Sequence, residues 1–211
     1  MGNAARPAAA AAPPGLVEYR SKDGYRLFVP ETWQKVRGII AETQWRNPYN
    51  PSQNLVLKTN KSLSRPFGDV NELGTPEEAG EYLIGQFIID YNSTRIGVQR
   101  NAEVLAGGER TGAGMGGAGG RRFYDFDVRV TSVADTNPLA AEPSLRVPEV
   151  EWTRRVIETM GCANGQLYEL RLQTDEKDLD DAMDLFVKVA TSLVLIEKDA
   201  PVTGLPPPLA F

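Results

Sequence analysis

Apolar and polar residues alternate in short runs along much of this chain, which is the pattern of half-buried β-strands. The first such region, residues 15–33, has two alternating runs on either side of Ser21-Lys22-Asp23-Gly24. Asp-Gly between strand-forming runs favours a tight turn, because glycine readily adopts the positive φ that the turn requires. The pattern therefore predicts a β-hairpin that opens the fold.

Six later segments are also predicted to be strands, and the glycine-rich or proline-rich stretches between them to be loops. The predicted strands are residues 38–45, 54–59, 99–105, 122–130, 149–160 and 166–173. The predicted loops are residues 47–51, the glycine-dense stretch 106–120 and the proline-containing stretch 134–148. Because residues 161–165 contain Asn164-Gly165, the last two strands are expected to form a second hairpin that closes the sheet.

Two segments have helical periodicity instead. The first begins at Thr75-Pro76-Glu77-Glu78, where threonine is an N-cap, proline takes the first helical position and Glu78 completes a capping box. The second begins at Asp178. The residues expected on the buried faces are Ala79, Tyr82, Leu83 and Phe87 in the first helix, and Ala182, Leu185, Phe186, Val189, Ala190 and Leu193 in the second.

The length of 211 residues fits one domain with loose ends. Residues 1–14 consist mainly of alanine and proline and are expected to be a flexible arm, residues 15–198 form the domain, and residues 199–211 are a proline-rich tail. The arm lacks the apolar core of a signal peptide. Two interpretations fit: the chain is already processed, or it is a cytosolic protein with a disordered start.

Composition excludes several classes of function. A net charge of −5 and scattered basic residues argue against nucleic acid as a partner, and no apolar run is long enough to span a bilayer. The chain has no histidine, which removes the usual general base and the commonest metal ligand. Its single cysteine, Cys162, allows neither an intrachain disulfide nor a thiolate metal cluster.

Two motifs suggest chemistry but have simpler interpretations. Gly112 to Gly117 matches G-x-G-x-x-G, yet a dinucleotide site needs a helix after that loop, and here a strand is predicted, so a flexible loop between strands is favoured. Asp125 and Asp127 are a possible carboxylate pair, but residues two apart on a strand are more often solvated, and no base is near in sequence. The sequence therefore favours a protein that is not an enzyme.

Acidic residues crowd the start of the second helix, which suggests either a calcium site or a solvated helix start that complements the helix dipole. The second interpretation is favoured, because the glycine of a calcium-binding loop is missing. The metal-ligand candidates are Asp175, Glu176, Asp178 and Asp181. Trp33, Trp45 and Trp152 are expected to fill the core or to seat the sheet against the helices rather than to stack on a ligand.

Four ordered motifs resemble those of the PsbP family, the extrinsic oxygen-evolving subunit of photosystem II and its relatives in the thylakoid lumen. Asp23-Gly24-Tyr25 with Phe28, Pro30 and Trp33 is similar to the opening of that family. "LGTPEEAGEYL", "RRFYDFDV" and "NGQLYEL" then resemble its later segments in the same order. The resemblance runs from about Leu16 to about Leu195.

The resemblance implies an α+β fold in which a twisted antiparallel β-sheet is sandwiched by helices, as in an α-β-α sandwich. It also implies a non-enzymatic protein of the chloroplast thylakoid lumen that docks peripherally on a photosystem, most specifically the oxygen-evolving complex of photosystem II. Such a protein shields the lumenal side and helps to retain calcium and chloride in its partner. Because the family's histidines are absent and Leu179 replaces a family tryptophan, no family metal site is carried over.

The residues proposed to dock on an acidic lumenal surface are Arg6 in the arm, and Lys22, Arg26, Lys35 and Arg37 around the first hairpin. The alternative for these residues is ordinary solvated charge. Two other functions stay open: a photosystem assembly factor with the same domain, and a carrier that binds a small molecule or lipid in a cleft between sheet and helix.

Overall fold

The computed structural model describes residues 12–37, 43–61, 66–112 and 120–197. The predicted opening hairpin is confirmed: β1 (Leu16–Ser21) pairs antiparallel with β2 (Tyr25–Pro30). Gly24 in the turn has a φ of 93°, which is the conformation that favours glycine. A short strand near the end of the domain, β10 (Val194–Leu195), pairs with β2 and completes a three-stranded sheet.

The other strands form one antiparallel sheet of seven strands in the order β3-β4-β5-β9-β8-β7-β6. Their bounds are β3 Gln34–Val36, β4 Thr43–Arg46, β5 Asn54–Lys61, β6 Val98–Gly112, β7 Arg121–Asp135, β8 Pro148–Ala163 and β9 Gln166–Asp175. The predicted second hairpin is confirmed between β8 and β9. Asn164 and Gly165 both have positive φ, as a two-residue type I′ turn requires.

Both predicted helices are present. α1 (Pro76–Asp90) begins with the predicted capping box, in which Thr75 Oγ1 accepts a hydrogen bond from the Glu78 N–H and Glu78 Oε2 accepts one from the Thr75 N–H. α2 (Leu179–Thr191) follows a short 3₁₀ turn at Glu176–Asp178. Two further 3₁₀ turns lie at Val70–Leu73 and Pro143–Leu145.

Two apolar cores lie on opposite faces of the seven-stranded sheet, because successive side chains of a strand point to opposite sides. On one face, α1 packs over Tyr124 and Phe126 of β7 and Met160 of β8. On the other face, α2 and the three-stranded sheet pack together over residues such as Leu170 and Leu172 of β9. The predicted sandwich by helices is thus confirmed only in part, because the three-stranded sheet shares one outer layer with α2.

Several predicted details differ from the structure. The glycine-dense stretch is predicted to be a loop, but residues 106–112 continue β6, because their hydrogen bonds to β7 are independent of side-chain size. Tyr82 is predicted in the buried face of α1 and is 44% exposed, since the buried stripe runs through Ala79, Leu83 and Phe87 and Tyr82 lies at its border. Leu193 is buried as predicted but lies just after α2 rather than within it.

Some predictions fall on residues outside the described ranges. The predicted strand 38–45 is described only from Thr43, and most of the glycine-rich motif 112–117 lies beyond Gly112. Most of the arm, with Arg6, and the tail 199–211 are also outside, so the domain boundaries stay predictions. In the part of the chain that the structure describes, no helix has both the length and the apolar character needed to cross a bilayer.

Candidate functional site

A network of charged side chains lies between α1 and the seven-stranded sheet, with a buried centre and a partly exposed end at Lys58 and Asp90. Arg171 of β9 donates from Nε to Glu158 of β8 and from Nη1 to Asp90 at the end of α1, each across 2.7 Å. Lys58 of β5 donates to the same Asp90 oxygen across 2.8 Å. Glu169 of β9 accepts a hydrogen bond from Asn60 of β5. The network therefore contains three carboxylates and two cationic groups.

The strand register brings these residues together. Glu158 is the register partner of Arg171, and Lys58 is that of Glu169, so the charges of three adjacent strands form one patch on the α1 face. Phe87 of α1 covers the patch, with the guanidinium of Arg171 4.3 Å from its ring centre. A ring above the guanidinium excludes water while still attracting the cation.

Burial controls the protonation of this network. Loss of solvation, only partly offset by Arg171, raises the pKa of Glu158 from its ordinary value of 4.5 to about 7. Burial also raises the pKa of Glu169. Burial would raise the pKa of Asp90 as well, but hydrogen bonds from Lys58 and Arg171 outweigh it and lower that pKa. Among the described residues, Glu158 Oε1 has no hydrogen-bond partner, so the network favours proton uptake by this carboxyl most.

A groove of about 500 Å³ lies beside this network, between the first half of α1 and β6. Its lining includes Ile84 of α1, Val104 and Leu105 of β6 and Phe126 of β7. A β-bulge between Val104 and Ala106 leaves Leu105 without a register partner on β7. The groove is thus an apolar cleft between sheet and helix.

The proposed docking residues do not form one patch. Arg26 of β2 approaches Glu18 of β1 at 3.5 Å, whereas Lys35 of β3 donates to the hydroxyl of Tyr19 at 2.9 Å. Tyr19 and Glu18 are neighbours on β1, so Arg26 and Lys35 lie on opposite faces of the three-stranded sheet. Lys22 in the hairpin turn and Arg37 after β3 are exposed.

The acidic residues proposed as metal ligands mostly have arginine or amide partners. Glu176 pairs with Arg129 at 2.8 Å and with Arg155 at 3.5 Å. Asp175 lies 4.0 Å from Arg154, and Asp178 accepts a hydrogen bond from Asn50. Asp181 is exposed on the first turn of α2. In the described ranges, no group of three or more acidic or cysteine side chains has a geometry that holds a metal.

Asp125 and Asp127, the possible catalytic carboxylate pair, are both held in ion pairs with arginines. Asp127 forms a two-point ion pair with Arg155 of the neighbouring strand β8. Asp125 pairs with Arg110 of β6 and accepts a hydrogen bond from Thr159 across 2.6 Å. Both carboxylates therefore link adjacent strands on the α2 face of the sheet.

Cys162 cannot act as a thiolate nucleophile at neutral pH. Its side chain is buried near the end of β8, and burial raises the pKa of its thiol to about 12.

The tryptophans occupy two kinds of position. Trp33 and Trp45 are buried in the core on the α2 side, as expected. Trp152 is only half-buried, at the end of β8 that lies near Tyr91. The guanidiniums of Arg100 and Arg154 lie 5.0 and 4.3 Å from its ring centre. Trp152 thus packs at the border of the α1-side core and contacts Arg154 of its own strand and Arg100 of β6.

The residues of the buried network and of the groove are not among those predicted from the sequence, where a cleft between sheet and helix is only a general alternative, but the network has a signal there. Glu158 lies between Val156 and Met160 with the alternation of a strand, which puts a carboxylate on an apolar face. Glu169 and Arg171 share a strand face with the apolar Leu167. A charged residue on each of two adjacent buried strands indicates an internal ion pair. No sequence signal indicates the bulge at Leu105 that shapes the groove.

Comparisons with known proteins agree on one family. A family model described as PsbP matches residues 14–195. PsbP domain-containing protein 1, chloroplastic, of Arabidopsis thaliana is 35% identical over 188 residues, which are 85% of this chain and 64% of that protein. This chain therefore spans less than two thirds of that relative's length.

A solved structure has the same fold. The solution structure of cyanobacterial PsbP (CyanoP) from Synechocystis sp. PCC 6803 superposes with a TM-score of 0.62, and the match covers 90% of this chain and 98% of that one. At 20% identity this likeness concerns the fold alone. The family model, which covers most of the chain, and the Arabidopsis relative show that this chain belongs to the PsbP family.

Proposed function

We propose that this protein is a non-enzymatic protein of the chloroplast thylakoid lumen that docks on the lumenal face of a photosystem, most specifically on the oxygen-evolving complex of photosystem II. It shields that face from bulk water and helps the complex to retain calcium and chloride. The observation that carries the proposal is the PsbP domain over residues 14–195, together with a relative named as chloroplastic.

The site geometry supports a binding role over catalysis. The ion pairs of Asp125, Asp127 and Arg171 hold strands and helix together, and Cys162 is buried as a neutral thiol. Groups held in structural ion pairs are poorly placed to accept or donate protons during a reaction. Rigid internal ion pairs and a charged exterior fit a scaffold that binds another macromolecule.

In this proposal, no residue of this chain contacts the calcium or chloride. The chain retains these ions by binding, and so stabilising, the form of the partner that holds them. A protein that binds only the ion-loaded form of its partner stabilises that form by RT ln(1 + [L]/Kd), where L is the docking protein. Lys22 and Arg37 are exposed and are placed to steer the approach to an acidic surface. Docking of this kind weakens at high ionic strength.

Among non-enzymatic photosystem-binding proteins, the alternative is an assembly factor with the same domain. A complex with one copy of this chain per photosystem would favour a permanent subunit over an assembly factor. A carrier of a small molecule or lipid is the alternative from another class. The apolar groove of about 500 Å³ beside α1 is the observation that favours a carrier.

The test is fractionation of thylakoids on a density gradient, with and without a high-salt wash, while this chain is followed by antibody. We expect co-migration with a photosystem and release by salt. The charge reversals Lys22→Glu and Arg37→Glu are expected to lower the bound fraction, and Lys188→Glu on the exposed side of α2 is the matched control. Migration as a free protein in both conditions would remove the docking proposal.

A further inference from the structure

The seven-stranded sheet ends on one side in a long open edge. β6 is its last strand and pairs only with β7 among the described strands. It is 15 residues long, so a long row of its backbone N–H and C=O groups points away from β7. The opposite edge strand, β3, has only three residues. Of the two edge strands of the seven-stranded sheet in the described ranges, β6 is therefore the one long enough to receive another strand along most of a segment.

The bulge in β6 divides this edge and orients its side chains. Leu105 has no register partner on β7 and is 38% exposed. A bulge interrupts continuous pairing, which protects an edge from unspecific aggregation, and it also redirects side chains next to binding sites. Here the residues at the bulge, Val104, Leu105 and Ala106, line the groove beside α1.

The groove has an apolar floor close to the edge. Phe126 of β7 lies over Gly107, where an added Cβ would be 2.7 Å from the ring. Gly80 of α1 faces Val104 of β6 and the same ring. Because both positions are glycine, the helix and the strand approach Phe126 closely, and the cleft between them is about 500 Å³ in volume, enough for an apolar side chain.

The rim of the groove is acidic. Glu77 and Glu81 border it from α1, whereas the Glu103 side chain of β6 points to the opposite face of the sheet. Glu103 pairs with Arg129 at 3.0 Å. Neither Glu77 nor Glu81 pairs with a lysine or arginine within the described ranges. The charge at this rim is thus complementary to a basic group on whatever occupies the groove.

We propose that the outer edge of β6 and the groove beside it bind an extended segment of a partner polypeptide by strand addition. Backbone hydrogen bonds along β6 hold the segment, an apolar side chain fills the groove over Phe126, and a neighbouring lysine or arginine contacts Glu77 and Glu81. A second copy of this chain fits less well, because it would bring the same carboxylates face to face. This inference rests on the proposed docking function and names the recognised segment.

The test is hydrogen exchange measured by mass spectrometry on the full chain, free and bound to purified photosystem particles. Strand addition is expected to slow exchange of the β6 amides, residues 98–112, because newly paired N–H groups are protected. The amides of β3, at the opposite edge, are expected to be unchanged.

Two variants sharpen the test. Glu81→Lys reverses a rim charge and Leu105→Asp puts a charge at the mouth of the groove, and each is expected to weaken binding by roughly tenfold while leaving the melting temperature nearly unchanged. Asp184→Lys, an equal charge reversal on exposed α2, is the control and is expected to bind as the unmodified chain does.

Four results would contradict the inference in different ways. Binding without protection of β6, or equal binding of the two variants and the control, overturns strand addition and leaves the docking function standing. Protection of β6 in the isolated chain at high concentration, with a dimer in solution, identifies a second copy as the occupant. Failure of the unmodified chain to bind photosystem particles overturns both proposals.

Discussion

Arg171 Nε donates to Glu158 Oε2 across 2.7 Å, and the carboxylate of Glu158 has no access to solvent. The second oxygen of Glu158 lacks a hydrogen-bond partner in the part of the chain that the structure describes. The same guanidinium also donates to Asp90 of α1, so one arginine joins two strands and a helix. This shared arginine leaves Glu158 only partly neutralised, and the consequences for stability are measurable.

Stability is expected to rise as the solution is acidified from neutral pH. Between its ordinary pKa of 4.5 and its folded pKa of about 7, Glu158 is protonated in the folded protein but ionised in the unfolded chain. The folded state therefore binds more protons, and the free energy of unfolding increases as pH falls through this range. For one carboxyl with this change in pKa, the effect is roughly 3 kcal/mol.

The measurement is thermal unfolding at about pH 7.5 and about pH 5 for the unmodified chain and for Glu158→Gln, which keeps the shape but cannot ionise. We expect the acid stabilisation to be clearly smaller in the variant. The pKa of Asp90 is lowered in both proteins, so its contribution to the pH dependence of stability cancels when the two proteins are compared. Equal pH dependence of the two proteins would show that Glu158 is ionised throughout.

Removal of Arg171 is expected to destabilise the fold strongly. Arg171→Met keeps the apolar stem over Phe87 but leaves Glu158 and Asp90 without their shared cation. Loss of one member of a buried ion pair typically costs about 3–5 kcal/mol. Chemical denaturation measures the change, and the double variant Arg171→Met with Glu158→Gln is expected to recover part of it. A double variant no more stable than the single one would contradict this account.

Gly24 and Gly15 form a matched pair for the opening hairpin. Both have positive φ, 93° and 75°, so alanine is strained at either position. At Gly24 an added Cβ would also lie 2.8 Å from Asn164 Nδ2 and 3.0 Å from the carbonyl oxygen of Ile196, whereas Gly15 faces open space. We expect Gly15→Ala to cost about 1 kcal/mol and Gly24→Ala about 1–3 kcal/mol more. Equal losses in unfolding experiments would mean that the contacts at Gly24 relax freely.

Calcium is expected not to bind saturably at the start of α2. Arg129 and Arg155 already neutralise Glu176, and Asp175 lies near Arg154, so an ion would have to displace these guanidiniums. Isothermal calorimetry with calcium tests this, and Arg129→Gln, which frees Glu176 in part, is the comparison. Saturable heat with the unmodified chain, lost in Asp175→Asn, would establish a direct site among Asp175, Glu176, Asp178 and Asp181.

Much of the fold follows from local patterns in the sequence. The Asp23-Gly24 turn, the Thr75 capping box and the Asn164-Gly165 turn each appear in the structure where the sequence predicts them. Each depends on neighbouring residues only: glycine or asparagine for positive φ, and threonine with Glu78 for the exposed N–H groups of a helix start. The four ordered motifs likewise indicate the family from the amino-acid sequence alone, because each is a short run of neighbouring residues.

The tertiary structure alone decided which strands became neighbours, and with them the site. Arg171 meets Glu158 only because β8 and β9 pair in one register, and it meets Asp90 only because α1 crosses that face. The open edge of β6 and its bulge at Leu105 depend on the order of seven strands, in which residues distant along the chain compete for partners. Local periodicity determines that a segment is a strand, but pairing over long separations determines its neighbour, which is why the partners within the buried network and the lining of the groove were visible only in the folded molecule.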